Sequence, residues 1–535
     1  MTTWTPQQEA FLTALTTTED CLILDAKAGS GKTTTIVEGV RRVVSTPGTP
    51  KRILMLAFNV KIKKELEARV QGADCKTLNG LGHSALMRML GKKSVAVEGG
   101  KVGNLVSAAL KSDRSLDPDL WSPVTQLVAK AKTHGLVPEG SPGTPVGIIP
   151  DTFEDWKDLA ATYDLDFSKD IWDLARTILI RSTEIAFEGV IDFDDQIYLP
   201  VVYRAGFPQY DLVFVDEAQD LNDLQHVILN KVRARPRGRI IAVGDPFQAI
   251  YGFRGARHDS MEKLAADFSA TVMPLSVSFR CAKAIIRHAQ SDVPDIEAAD
   301  GAAEGKVTRL DTWSVTDFKA GDAIGCRNVA PLLSLAYACL HRRIPVKFLG
   351  RDIGAGLKAL IKKLAGKPSR LDLQSLEHAI QDWAAREAAN ARSSGALHRI
   401  DSIYDKANSL LAIMDSSGVE SVEGLYGELD QLFQAAAAKI TLMTGHGSKG
   451  LEFDRFYILD PWRIPSRYAK MAGDDSPQMR QEINLRYVMR TRAKNELIYI
   501  NSEDRELGAD EAPTREIAAD TIENHVTLNP NVESE

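Results

Sequence analysis

The sequence predicts an α/β protein built on two parallel-sheet domains, each interrupted by a long helical stretch. Short β-branched or apolar runs bounded by turn residues alternate with helical patterns, as parallel strand–helix units do. The runs fall into two groups: Cys21–Asp25, Arg52–Phe58, Asp211–Val215 and Arg239–Gly244, then Ala323–Cys326, Pro345–Leu349, Lys439–Met443, Asp454–Leu459 and Glu496–Ile500. Within each group one interval, 85–190 or 351–437, has helical rather than strand character. Strands needed in one sheet but far apart in sequence make those intervals nested excursions from a continuous core.

In chain order this gives a first core at 1–84 and 191–275 with an insertion at 85–190, and a second core at 276–350 and 438–502 with an insertion at 351–437. Residues 503–535 form an acidic tail. The second insertion carries helical patterns at Leu373–Ala391, Arg399–Met414 and Val422–Phe433, broken at Ser393–Gly395 and Ser416–Gly418. Val137–Pro150, rich in Pro and Gly, reads as a loop.

A length of 535 residues requires several domains. Hydrophobic residues at 44% and charged residues at 26% are ordinary globular values, and no apolar run exceeds six residues, against the roughly 20 a spanning helix needs. A membrane partner is therefore not expected. The start, Met1 to Glu9, has neither a basic nor an apolar signal region, and the five cysteines are scattered without C-x-x-C spacing, so a cytoplasmic location with reduced thiols is expected. Net charge is −7, which argues against a polycationic nucleic-acid binder. Ten acids and two bases after Ser502 account for −8 of it, leaving +1 on the rest.

The first run leads into Ala26-Lys27-Ala28-Gly29-Ser30-Gly31-Lys32-Thr33-Thr34 and a helical pattern. Such a loop cradles phosphates with backbone N–H groups and a helix N-terminus, Lys32 neutralising the β/γ oxygens and Thr33 offering a hydroxyl to Mg²⁺. Ala26 stands where the strict G-x-x-x-x-G-K-[ST] pattern has its first glycine, and alone the motif could be a glycine-rich turn. Leu212-Val213-Phe214-Val215-Asp216-Glu217 removes most of that doubt: a buried strand ends in two carboxylates, Asp216 to hold Mg²⁺ through water and Glu217 to orient the attacking water as general base. ATP and Mg²⁺ are the expected cofactors.

Asp216-Glu217-Ala218-Gln219-Asp220 and Val243 to Ala256 are longer than a generic ATPase signature and resemble motifs II and III of the UvrD/PcrA/Rep class of superfamily 1 helicases. Others follow in the family's order: Thr5-Pro6-Gln7-Gln8 resembles the Q-motif, Ala57-Phe58-Asn59-Val60-Lys61 motif Ia, Thr77-Leu78-Asn79-Gly80-Leu81 motif Ib, and Ser278-Phe279-Arg280 motif IV. Cys326-Arg327-Asn328, Thr444 to Phe453, and Glu482 to Lys494 resemble the short motif after IV, motif V and motif VI. The resemblance spans residues 4–500 and implies two RecA-like P-loop NTPase cores, in the compact form of F-box-helicase-like and phage or mobile-element relatives.

It further implies that Lys32, Asp216, Glu217, Gln248, Arg280 and Arg492 act in hydrolysis, the two arginines reaching the γ-phosphate. Gln8 would read adenine, Phe279 stack on it and Glu452 contact the ribose. Phe58, Tyr251 and Phe253 match base-adjacent positions, and Asn59, Thr77, Arg254, Arg327 and His446 match polar strand contacts. The implied function is ATP-driven 3′→5′ translocation on single-stranded DNA with unwinding at single-strand/duplex junctions. A DNA-stimulated ATPase switch, unwinding little without a protein partner bound through an insertion or the tail, is the alternative, motivated by the short second insertion and the glycines of Gly445-His446-Gly447. An RNA-directed motor fits the motif set less well. The 35 residues after Ile500 are too few for an appended nuclease, so none is expected.

Overall fold

The computed structural model describes residues 4–46, 52–163, 165–252, 255–365, 372–393, 397, 399–434 and 438–506. Phe253, Arg254 and residues 507–535 lie outside them, as do the expected break at Ser394–Gly395 and most of the tail. The chain divides into two compact units, 1–279 and 280–535, four residues beyond the boundary expected at 275.

The first unit carries a parallel sheet of β1 (Leu22–Ala26), β2 (Ile53–Ala57), β3 (Asp74–Thr77), β4 (Leu212–Val215), β5 (Arg239–Gly244) and β6 (Thr271–Leu275) in the order β3-β2-β4-β5-β1-β6. β2, β4 and β5 are buried at every residue, as expected of strands covered on both faces. One face packs Phe11, Leu12, Leu15, Ile36 and Val40 from the helices Pro6–Thr17 and Lys32–Ser45. The other meets Leu127, Val128 and Leu179 from the insertion helices Trp121–His134 and Lys169–Glu188. Registers Asp25↔Gly244, Ala26↔Leu275, Leu56↔Val215 and Ala57↔Thr77 bring the carboxyl ends of all six strands to one edge.

The insertion is mainly helical, and the helix Leu78–Leu90 that leads into it crosses residue 85. A buried charge cluster ties it together: Lys132 Nζ sits 2.5 Å from Asp192 and 2.8 Å from Asp195, and Lys101 donates to Asp195. Where Leu78–Leu90 passes the helix Asp195–Val202, a Cβ at Gly82 would stand 2.0 Å from the Gln196 carbonyl oxygen, so only glycine allows that approach.

The second unit carries β7 (Lys306–Arg309), β8 (Ala323–Cys326), β9 (Val346–Leu349), β10 (Ile440–Thr444), β11 (Phe453–Leu459) and β12 (Ala493–Ile500) in the parallel order β7-β12-β11-β8-β10-β9. Helices Arg351–Ala365, Leu373–Ser393, Arg399–Ser417 and Val422–Gln434 lie between β9 and β10. Asp405 of this insertion accepts from the N–H groups of Val329 and Ala330 at 2.9–3.0 Å, capping the core helix Ala330–His341 from outside its own sequence. Residues 503–506 are tied to the second unit: Glu506 N donates to Trp313 O and Trp313 Nε1 to Asn501 O.

The fold is thus the expected α/β one, with two RecA-like cores and mainly helical insertions. Three strands of the two six-stranded sheets were not anticipated. β3, β6 and β7 are sheet edges with partly exposed sequences: DCKT and KVTR lack the apolar run that marked the others, and in TVMPL a proline interrupts it.

Candidate active site

Between β1 and the helix Lys32–Ser45, the loop turns at Gly29 (φ 75°) and Gly31 (φ 80°), a region side chains with a Cβ rarely occupy. Gly31 caps the helix without a side-chain bond and no acid stands in its first turn, so the N-terminus around Lys32, Thr33 and Thr34 keeps its positive potential. Ala26 fits because it is still strand, paired with Leu275, and completely buried. Gln8 braces the loop: its Nε2 donates to Thr35 Oγ1 (3.0 Å) and Ser30 O (3.4 Å), while its Oε1 accepts from Thr5 N (3.0 Å). Phe279, 53% exposed, reaches the same loop, its N–H donating to Gly29 O at 2.9 Å. Lys27 differs from Lys32 in that its side chain turns inward, 1% exposed, onto Asp25.

One strand separates β1 from β4, and the two ends after them face the loop. Burial, reinforced by the Glu217 charge, pushes the Asp216 carboxyl up to about 7, and Lys32 pulls it back down, so loop lysine and carboxylate are within electrostatic reach. Two adjacent carboxylates, one buried, are oxygen donors of the kind a hard divalent cation takes. Glu217 holds a left-handed conformation (φ 51°), strain typical of a functional turn. A residue sequence reasoning did not single out positions it. Gln219 Nε2 donates to Glu217 Oε2 (2.5 Å), and Gln219 Oε1 accepts from Asp245 N (3.1 Å). Asp245 in turn accepts from Gln248 Nε2 (2.7 Å) and Phe247 N (3.1 Å). Gly244 is required here, since a Cβ would lie 2.4 Å from Gln219 Oε1. The signal for Gln219 and Asp245 was present, both being inside the quoted motifs, but only the fold makes them one chain of bonds from Glu217 to Gln248.

On the same sheet edge, Phe58 is 46% exposed and its ring lies parallel to that of Tyr251 at 6.5 Å. Asn59 and Thr77 begin helices, each side-chain oxygen accepting from the N–H three residues on, Ile62 and Gly80. Asn79 donates to Phe193 O (3.0 Å) and Gln196 Oε1 (3.1 Å). It thereby holds Phe193, 61% exposed, a further aromatic on this face that no periodicity or motif had marked.

In the second unit, Glu452 receives Arg280 Nε (2.9 Å) and Lys494 Nζ (3.0 Å). Arg492 is 1% exposed, donating to Val488 O, Leu451 O and Thr491 Oγ1 at 2.8–3.1 Å. Arg280, Glu452 and Arg492 therefore belong to one cluster joining the segments 451–453 and 491–492, with Phe453 N bonded to Arg492 O. Arg327 forms a forked ion pair with the buried Glu482 (2.8–3.2 Å). His446 opens the short helix His446–Ser448. The neighbouring glycine is not slack: a Cβ at Gly445 would stand 2.6 Å from Met489 Sδ, so Gly445 seats this turn against the helix Pro477–Arg490.

Residues 7–254 match the family model described as an AAA domain, and residues 374–504 match that of the UvrD-like helicase C-terminal domain. The chain belongs to the UvrD/PcrA-like superfamily 1 helicases. Within that family, a probable DNA helicase II homolog of Rickettsia felis is 22% identical over 94% of this chain and 93% of its own length. The F-box DNA helicase protein 1 of Schizosaccharomyces pombe is 24% identical over 90% of this chain and 55% of its own length. The ATP-dependent DNA helicase PcrA of Leuconostoc citreum is 26% identical over 52% of this chain, which spans 39% of that relative. No described helix is long and apolar enough to cross a membrane.

Proposed function

We propose that this chain is an ATP-dependent DNA helicase that translocates 3′→5′ along single-stranded DNA. The observation that carries the reading lies within the first unit: the phosphate loop, the Asp216–Glu217 carboxylates and the parallel Phe58–Tyr251 ring pair share one edge of one sheet. A nucleotide and a strand bound on one rigid edge can be coupled through it. The named activities of the relatives support the substrate and the nucleotide.

In this proposal the loop N–H groups and Lys32 hold the phosphates, and Thr33 and Asp216 hold Mg²⁺, which would screen the charge developing on the phosphate oxygens. Glu217, fixed by Gln219, orients the attacking water, and Gln248 follows the γ-phosphate through Asp245. Arg280 and Arg492 meet the same phosphate when the cores close; Glu452 and Arg492 must first exchange their present partners for nucleotide. Bases stack on Phe58, Tyr251 and Phe253, while Asn59, Thr77, Arg254, Arg327 and His446 follow the backbone. Core closure and reopening over one ATP then alternate the grip on the strand.

Strand displacement from 3′-tailed and 5′-tailed duplexes, run beside ATP hydrolysis with and without an oligonucleotide, tests this. Opening of the 3′-tailed substrate is expected. Preferential opening of the 5′-tailed one overturns the polarity, and stimulated hydrolysis with no opening of either replaces the motor by a DNA-stimulated switch.

A further inference from the structure

The phosphate loop contains two lysines, and the proposed reaction uses one. Lys27 is anchored at both ends. Its N–H donates to Leu275 O on the edge strand at 2.9 Å, and its ammonium sits 3.0 Å from both carboxylate oxygens of Asp25. The same ammonium lies over the face of Phe247, 4.6 Å from the ring centroid. With 1% of the residue exposed, this cation is removed from solvent and cannot serve a phosphate as Lys32 does. A buried ion pair alone is weak evidence for stability, because desolvation offsets most of the attraction. A desolvated cation over an aromatic face does fix the ring against it, because the quadrupole attraction is not screened by water.

Phe247 is the middle residue of the turn Pro246–Gln248, whose other side is held by Asp245 through Phe247 N and Gln248 Nε2. The turn that carries Gln248 is therefore clamped between a carboxylate behind it and a phosphate-loop lysine in front of it. We infer that Lys27 is a positioning residue that transmits displacement of the phosphate loop to the Gln248 turn, through the Asp25–Lys27–Phe247 stack. This rests on the proposed hydrolysis at the loop and goes beyond it by naming the mechanical link. When phosphates enter and the loop adjusts around them, the ammonium carries Phe247 with it, and Gln248 is set at the distance where it meets the γ-phosphate.

The test is steady-state ATP hydrolysis by the full chain, with and without an oligothymidylate, for Lys27→Met, Lys27→Arg, Phe247→Leu and Lys32→Ala, with binding of a fluorescent ATP analogue and thermal melting in parallel. Lys27→Met and Phe247→Leu are expected to lower strand-stimulated kcat at least about tenfold while KM and analogue affinity stay within about threefold, the pattern of lost transition-state alignment. Lys27→Arg, which keeps both the ion pair and the ring contact, is expected to recover most of the rate. Wild-type kcat in Lys27→Met, an equal loss of kcat and nucleotide affinity, or an Arg variant as poor as the Met one overturns the inference and leaves a purely structural pair. Should Lys27→Met fail to fold, Phe247→Leu decides alone, because it keeps the ion pair: a wild-type rate there is equally fatal. A wild-type chain without hydrolysis, or an active Lys32→Ala, sinks the proposed function instead.

Discussion

The rings of Phe58 and Tyr251 are parallel to within 5°, with centroids 6.5 Å apart. Two aligned aromatic faces beside the sheet edge offer bases a stacking platform that does not depend on sequence. Phe58→Ala and Tyr251→Ala should each weaken binding of a short oligothymidylate by about 1–3 kcal/mol, or roughly 5- to 150-fold, in fluorescence anisotropy at fixed salt. Unchanged affinity in both would remove this ring pair from strand binding.

Gly244→Ala tests the chain of bonds from Glu217 to Gln248. The added methyl would meet Gln219 Oε1 at 2.4 Å and Met261 Sδ at 3.0 Å, and displacing the amide breaks the bond from Gln219 Nε2 to Glu217. Stability should fall by about 1–3 kcal/mol from overpacking, and kcat should fall at least about tenfold with KM for ATP little changed. A stable variant with normal kcat would show that Gln219 does not position the base.

Arg492→Lys keeps a charge but cannot reach three acceptors in a fixed fork. If Arg492 stabilises the transition state, hydrolysis should drop by about a thousandfold or more while ATP-analogue binding persists. Near-normal strand-stimulated hydrolysis would remove Arg492 from the proposed mechanism and leave it a core residue.

His226 supplies an acid-sensitive element beside the carboxylate turn. It is 3% exposed, its Nε2 pairs with Ser260 Oγ, and Ser260 Oγ donates to Ala218 O. Burial, helped by the Lys263 and Arg257 charges, lowers its pKa from 6.5 to about 4. The unfolded chain therefore takes up a proton between those values that the folded chain refuses, so stability is full above 6.5 and is lost as pH falls toward 4. Between pH 7 and 5 this amounts to about 2 kcal/mol, and His226→Gln should flatten the dependence in denaturant melts. An equal slope in the variant would place the acid sensitivity elsewhere.

Shortening the chain should give two different results according to the cut. Ending at Glu506 keeps the bonds between Trp313 and residues 501–506, whereas ending at Ser502 removes those made by Asp504 and Glu506 and should lower the melting temperature. Loss of 507–535 removes seven acids and one base, so strand binding should tighten at low salt and converge with the full chain at high salt. Identical affinities at low salt would make the tail a solubilising end only.

What could be read beforehand follows a physical divide. Strands buried on both faces, such as Ile53–Ala57 and Leu212–Val215, leave short apolar runs bounded by turn residues or charges, and glycine, lysine and carboxylate spacing marks the phosphate loop directly. Edge strands do not, because half their residues face water and the sequence Lys306–Arg309 looks like any loop. Partnerships across the sequence were equally hidden. Nothing near Lys27 in the chain announces Phe247, and Asn79 and Phe193 are brought together by a helix docking at Gly82. The constraint on Gly445 is hidden for the same reason, since the methionine that requires it is Met489.

The strand order of the first sheet also sets a schedule for synthesis. β1 is the first strand to leave the ribosome, yet its neighbours on either side are residues 239–244 and 271–275. At about 5–20 residues per second, Leu22–Ala26 waits roughly 10–50 s with both backbone edges unpaired, while the insertion is being made. An apolar strand held open that long is a site for wrong pairing between nascent chains. Slower induction at low temperature and the presence of a holdase should raise the soluble yield of this chain.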